Sequence, residues 1–430
     1  MLKRFSLLCA AIFLCAAAFG QDDPDMEYTP QRNFPKEIKV VKDETPLALR
    51  LILQPIKNGM FVRIPVVDAD PNRGLTYGVM PIWVLREKNS DRIQSIYAPS
   101  LTYNHHFGIN PTLRYYAYPE TDATFSARAS AGKYEHEVFA QYEDLTPLDT
   151  NIPIFIRSQW NVDAGQRFFG IGPNTPQSRE SNYKEDYTQN QLSAGLPLLA
   201  DSKWHAHLAD RLTSAAVTDG PLPRLASFSQ SFPGLASNGH MQANEVRLSL
   251  DYDSRDHNVT TKRGAFLETS MDYSIRGAAS SYDFNRYALD GRAFYPWPIS
   301  EDFVTTAQVK FEQLYGNAPF WLMPSLGGKY SLRAYGDGRY VDRGMAVANI
   351  EQRFTVYKAK MAGVTTELEV APFMGLGTVF NTPEQMSARY GRPVFGGAVR
   401  AVARPQVVGS VDVGMGQQGV AVFTDINYSF

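Results

Sequence analysis

The chain has 430 residues, with 42 Lys plus Arg against 44 Asp plus Glu and only two cysteines. A formal charge of −2 offers no basic surface to a polyanion, so nucleic acid is excluded as an expected partner. Cys9 and Cys15 both fall near the start, so the chain beyond them has no thiol for a disulfide, a metal site or a nucleophile.

Lys3 and Arg4 precede an uncharged apolar run over residues 5–19, and Ala18-Phe19-Gly20 puts small residues where a signal peptidase cuts. The pattern predicts a secretory signal peptide over residues 1–20, too short to anchor in a membrane. Residues 21–60 read as a periplasmic leader. Within it, residues 45–57 fit either a short amphipathic helix or a strand-like tether.

No later stretch supplies the ~20 consecutive apolar residues of a spanning helix. The pattern over residues 61–430 is instead period two, in segments of about ten residues, the length with which a tilted strand crosses a bilayer. Val246, Leu248, Leu250 and Tyr252 alternate with Glu245, Arg247, Ser249, Asp251 and Asp253. Ala265, Leu267, Met271 and Tyr273 oppose Glu268, Ser270 and Asp272; Phe303, Ala307, Val309 and Phe311 oppose Gln308, Lys310 and Glu312. Ala346, Ala348, Ile350 and Phe354 oppose Asn349, Glu351 and Arg353. Val420, Val422, Ile426, Tyr428 and Phe430 share a face against Asp425, Asn427 and Ser429. Charge at mid-strand and aromatics at strand ends favour a lipid-facing wall around a wet lumen over a soluble sandwich.

Seventeen segments between residues 74 and 430 carry this signal. A single-chain bacterial barrel needs an even number. Discounting one segment between residues 108 and 142 as a hairpin arm predicts an all-β, transmembrane antiparallel β-barrel of sixteen strands. Residues 166–186, 215–242 and 314–344 are rich in Gly, Pro and Asn and read as extracellular loops. The turn at residues 198–202 reads as a short periplasmic one.

Pro319-Phe320, Leu326-Gly327-Gly328 and Ser331-Leu332-Arg333-Ala334-Tyr335-Gly336 resemble the long loop of the BamA/TamA superfamily, also known as the bacterial surface antigen family. The resemblance implies a loop folded back into the lumen, with Leu332, Arg333, Tyr335 and Gly336 at its tip and Glu351 as the partner of Arg333. A guanidinium in a narrow lumen needs such a charge-assisted partner. Ala334 stands where the family carries glycine, and Gly375 where aspartate is common, which implies a loop held less tightly. Tyr252-Asp253-Ser254-Arg255-Asp256 followed by Gly264 is similar to a periplasmic turn of the family, with Thr261 in place of its proline, and Asp253, Arg255, Asp256 and Gly264 carry the motif. Ile64-Pro65-Val66, Pro71, Gly74 and Gly78 resemble the family's approach to strand one. Tyr428 and Phe430 look like an outer-membrane assembly signal.

The stretch before residue 60 leaves no room for a periplasmic polypeptide-transport-associated (POTRA) domain, so a POTRA-less member is expected. There is no Gly-x-Ser-x-Gly elbow, phosphate-binding loop or His-Glu-x-x-His, and no catalytic residue or cofactor is assigned. His205 and His207 share a strand face, but two ligands do not make a metal site. The expected function is translocation or assembly of a protein or lipid client at the outer membrane of a Gram-negative bacterium. A passive pore and a lipid-acting enzyme are the alternatives. The expected partners are outer-membrane lipids, the barrel-assembly machinery during biogenesis and a separate periplasmic protein.

Overall fold

A computed structural model describes residues 53–430, apart from residues 89–91, 120–122, 151, 199–202, 238, 258, 362–363, 404–406 and 426–427. The expected signal peptide, the leader up to residue 52 and most of the turn at 198–202 lie outside the described residues. Residues 53–56, at the end of the ambiguous 45–57 segment, form a short strand, Leu53–Ile56.

Among the described residues eighteen strands, not sixteen, build a closed antiparallel barrel. They are β1 Gly59–Asp70, β2 Gly74–Arg86, β3 Ile93–Tyr97 continued after a break by Ser100–Asn104, β4 Gly108–Ala117, β5 Ala123–Ala131 and β6 Glu135–Asp144. Next come β7 Ile154–Phe168, β8 Ser181–Pro197, β9 Trp204–Asp219, β10 Met241–Asp253, β11 Gly264–Ser274 and β12 Asp283–Trp297. The circuit ends with β13 Ser300–Asn317, β14 Gly344–Met361, β15 Val364–Phe380, β16 Arg392–Ala403, β17 Val407–Gly416 and β18 Gly419–Asp425. Each pairs with the next, and β18 meets β1.

The even count is therefore reached by addition. All seventeen expected segments are wall strands, including β4, β5 and β6, one of which was expected to be a hairpin arm. The missed strand is β1. Its inward residues Met60, Val62, Ile64 and Val66 are as apolar as its outward ones, so it shows no alternation, and Pro65 interrupts the run. Among the described residues Pro65 has a ladder neighbour, β2, on one side, and a missing N–H is tolerated at such an edge.

In β10 the alternation is realised as read. Val246 and Leu248 are exposed on the outer face, whereas Glu245, Arg247, Ser249 and Asp251 are buried on the inner one. Connections that follow odd-numbered strands share one rim, and the three long ones, after β7, β9 and β13, all fall there. At this rim Phe168, Tyr183, Phe228, Phe232 and Phe320 pack into an aromatic cap, with Phe168 4.7 Å from both Phe232 and Phe320 between ring centroids.

The seam between β1 and β18 is thin. Among the described residues one ladder pair joins them, Ala69 with Val422, supported by Thr424 Oγ1 donating to the Val67 carbonyl at 2.7 Å. Nearer the short-turn rim, the edge of β1 is taken by the leading strand Leu53–Ile56, which folds back through Asn58 in a left-handed conformation (φ 64°). β18 is described as strand to Asp425, and residues 428–430, expected to continue it, are not strand.

Candidate functional site

The loop between β13 and β14 turns into the lumen, and its tip meets the inner wall of β14, β16 and β17. Arg333 is 1% exposed there. Its Nη1 donates to Glu351 Oε2 at 2.8 Å, to Asp412 Oδ2 at 2.7 Å and to Ser429 Oγ at 3.3 Å. Its Nη2 makes no hydrogen bond among the described residues, but the guanidinium lies 3.5 Å from the Phe373 ring centroid. That stacking offsets part of the missing bond.

Glu351 is the centre of the node. Arg400 grips both its oxygens, at 2.5 and 2.8 Å, and Arg353 Nε donates to Oε1 at 2.9 Å. With Arg333, three guanidiniums thus supply four bonds to one carboxylate, filling its acceptor sites. Glu351 and Asp412 are 1% and 0% exposed at the side chain, so unpaired charge here is costly.

The expected loss of the second acid at Gly375 does not loosen the loop. Asp412, on the penultimate strand, supplies it. A side chain at Gly375 would fall 2.2 Å from Asn349 Oδ1, and Asn349 Nδ2 itself donates to the Ser331 carbonyl at 3.1 Å. Ala334 is likewise accommodated, because its Cβ faces Gly416, where a Cβ would stand only 3.0 Å away.

The other tip residues pack rather than pair. Leu332 is fully buried in a cluster with Leu326, Tyr340, Val347 and Val379. The Tyr335 hydroxyl lies 3.4 Å from the Pro393 carbonyl and accepts from the Gln417 amide at 3.2 Å. Gly336 abuts the β1–β2 turn, where a Cβ would sit 2.0 Å from Asn72 Oδ1, and Asn72 Nδ2 donates to the Asp337 carbonyl at 2.7 Å. Two further arginines tie the loop elsewhere: Arg339 to Thr175 and Gln418, and Arg286 on β12 to the Leu322 carbonyl at 2.7 Å. A chamber of about 490 Å³ is left between the loop and the opposite wall.

Residues 428–430 do not lie on the outer face. Tyr428, Ser429 and Phe430 are all buried on the arginine node. Ser429 Oγ donates to Asp412 Oδ2 at 2.9 Å, Arg353 Nη2 donates to the Phe430 main-chain oxygen at 3.0 Å, and Arg353 stacks 3.8 Å from the Tyr428 ring. Sequence reasoning missed Asp412, Arg353, Arg400 and Ser429. For Arg400 and Asp412 the available signal was a charge amid the small and apolar residues in the interior of β16 and of β17.

The β10–β11 turn is knotted by its own side chains at the other rim, and Lys262 ties it to Asp302 and Glu367 at 3.5 Å. Arg255 grips Asp253 at 3.0 and 2.8 Å, while Asp256 Oδ1 accepts the amides of His257, Lys262 and Arg263. Gly264 has φ +109°, and a Cβ there would stand 2.2 Å from the Ser254 carbonyl oxygen. Gly264→Ala is expected to cost about 1–3 kcal/mol, read as a lower urea midpoint for the folded barrel. Gly397→Ala, in open space, should leave the midpoint unchanged. His205 and His207 both contact Asp251, at 3.2 and 2.6 Å. Among the described residues no group of three or more His, Cys, Asp or Glu is placed to hold a metal.

Comparison with known proteins agrees with this architecture. BamA from Haemophilus ducreyi lacking POTRA domains 1–3 is similar in structure (TM-score 0.51, 11% identity), over 84% of this chain and 74% of that one. CdiB from Escherichia coli (TM-score 0.47, 9% identity, 87% of this chain) and CdiB from Acinetobacter baumannii (TM-score 0.42, 12% identity, 86% of this chain) are also similar. The chain spans 62% and 59% of those two. No curated protein matches in sequence. The family model of the Omp85 superfamily domain matches residues 121–406, about two thirds of the sequence and most of the barrel wall, and the chain belongs to the Omp85 superfamily, whose barrels reside in the outer membrane.

Proposed function

We propose that this barrel translocates or assembles a protein or lipid client at the outer membrane, with the β13–β14 loop as a lumen plug and the β1–β18 seam as a lateral exit. The observation that carries the reading is the plug itself. Its arginine is bound by two buried carboxylates on the wall, so the loop is held across the lumen. The seam adds support, since the one ladder pair among the described residues is far less to break than the long pairing between the neighbouring strands β1 and β2.

Single-channel conductance of the refolded protein tests this reading. Arg333→Ala removes the anchor of the plug but leaves Glu351 paired with Arg353 and Arg400, so the wall is preserved. Small, flickering currents in the wild type should become large and steady in Arg333→Ala. A steady open level, equal in both proteins, would instead identify a passive pore.

A further inference from the structure

The outer wall of β8–β10 carries one group that lipid does not suit. Asp210 on β9 faces outward and is exposed, opposite Leu192 of β8 and Val246 of β10, which are exposed too. Trp204 and Tyr252, 5.1 Å apart between ring centroids, mark the short-turn edge of the apolar band. Asp210 lies six residues beyond Trp204 on the same strand, about 20 Å along it. At a tilt of about 40° that is about 15 Å of depth, well inside a band about 25 Å tall. Among the described residues no hydrogen bond or ion pair reaches the Asp210 carboxyl group. An ionisable group at such a depth is costly and by default marks a functional contact.

Two carboxamides share this face. Asn190 on β8 and Asn244 on β10 are both ladder partners of Leu212, the next outward residue of β9. Ser158 Oγ on β7 donates to Asn190 Oδ1 at 2.8 Å, while Asn190 Nδ2 has no partner among the described residues. Asn244 Oδ1 is buried without a hydrogen bond. A carboxyl group and two amides thus surround one leucine, each with bonding capacity unused.

We infer that this patch is the surface through which a second copy of the chain joins the first, back to back in the membrane. Two barrels inserted in the same direction are related by a two-fold axis along the membrane normal, so groups that pair across it stand at equal depth. The patch meets that condition. Strand tilt raises one amide and lowers the other relative to Leu212, which brings one of them within about 2 Å of the depth of Asp210. An axis beside Leu212 then sets each Asp210 against that amide of the other copy, so the contact is made twice and no two carboxyl groups are forced together. Amide-to-carboxylate hydrogen bonds are strong where water is excluded. β9 is the ninth of eighteen strands, so the contact lies halfway round the wall from the β18–β1 seam. Both seams remain facing lipid, and the pairing stands whether or not the barrel carries a client.

Oxidative cross-linking in outer membranes tests it. The only cysteines of the chain are Cys9 and Cys15, so the unsubstituted protein sets the background. Leu212→Cys, beside the axis, should give a disulfide-linked pair of chains. Leu113→Cys, exposed on the outer face of β4, should stay at background. Added to Leu212→Cys, Asp210→Leu should lower the yield of linked chains several-fold, even though leucine suits lipid better. Asn190→Leu or Asn244→Leu should do the same, whichever amide lies at the depth of Asp210. Folding of each variant is confirmed by heat-modifiable migration on gels. Three results would overturn the inference: Leu212→Cys that links no more than Leu113→Cys, a yield that Asp210→Leu leaves unchanged, or a linked species whose mass is not that of two copies, which would mean that another protein covers the patch.

Discussion

Glu351→Gln is expected to be the most destabilising single change in the barrel wall. The glutamine keeps the shape of the side chain but loses the charge, and its amide presents donors to groups that are themselves donors. Arg333 and Arg400 would then share Asp412, and Arg353 would keep its bond to the Phe430 main-chain oxygen. Breaking a buried ion pair from one side costs about 3–5 kcal/mol, because the partner's charge is left uncompensated. The measurement is the urea midpoint of unfolding in detergent or lipid, followed by heat-modifiable migration, with the denaturant slope held as a check on two-state behaviour. Glu351→Gln should lower the midpoint far more than Arg333→Ala, which leaves the acid with two arginines. Glu351→Gln/Arg400→Gln should recover part of the loss, because the excess positive charge is what destabilises. Equal effects of Glu351→Gln and Arg333→Ala would mean that Glu351 serves the loop alone and not the wall.

That ordering also marks how far the sequence could be read. Period-two alternation identifies the wall, because lipid on one side and water on the other impose opposite chemistry on successive residues. It fails where that contrast is absent. The inner face of β1 joins a wholly apolar cluster with Met80, Ile82, Val84, Ile93 and Ile96, so the strand shows no alternation and the count falls short. It also misleads at the other end of the chain, where Tyr428 and Phe430 carry a strand pattern while their side chains pack on arginines. The site was legible only through its motif. Arg333 and Glu351 are close in sequence and follow a family spacing. Asp412, 79 residues beyond Arg333, is brought to it by the closing curve of the wall. No local pattern encodes which inward-facing residues of β14, β16 and β17 meet in the lumen.

Gly414 is a second residue whose importance lies in that convergence. It stands on β17 directly beneath the loop tip, and a Cβ there would fall 1.7 Å from the Arg333 carbonyl oxygen. The obstacle is backbone, so no rotamer change relieves it, and the tip must move away from the wall. Arg333 reaches Glu351 and Asp412 at 2.8 and 2.7 Å, and a shift of one ångström or so would lengthen both beyond good hydrogen-bond geometry. Gly414→Ala is therefore expected to undock the plug while every charge of the node stays in place. Its conductance should approach the large, steady level expected of Arg333→Ala, and its urea midpoint should fall by about 1–3 kcal/mol of stability, the usual range for overpacking. Gly409→Ala is the control on the same strand, since a Cβ there meets nothing closer than 3.9 Å. It should match the wild type in both measurements. If Gly414→Ala keeps small, flickering currents, the loop tolerates displacement without opening the lumen, and occlusion must reside in the aromatic cap of Phe168, Phe228 and Phe320 instead.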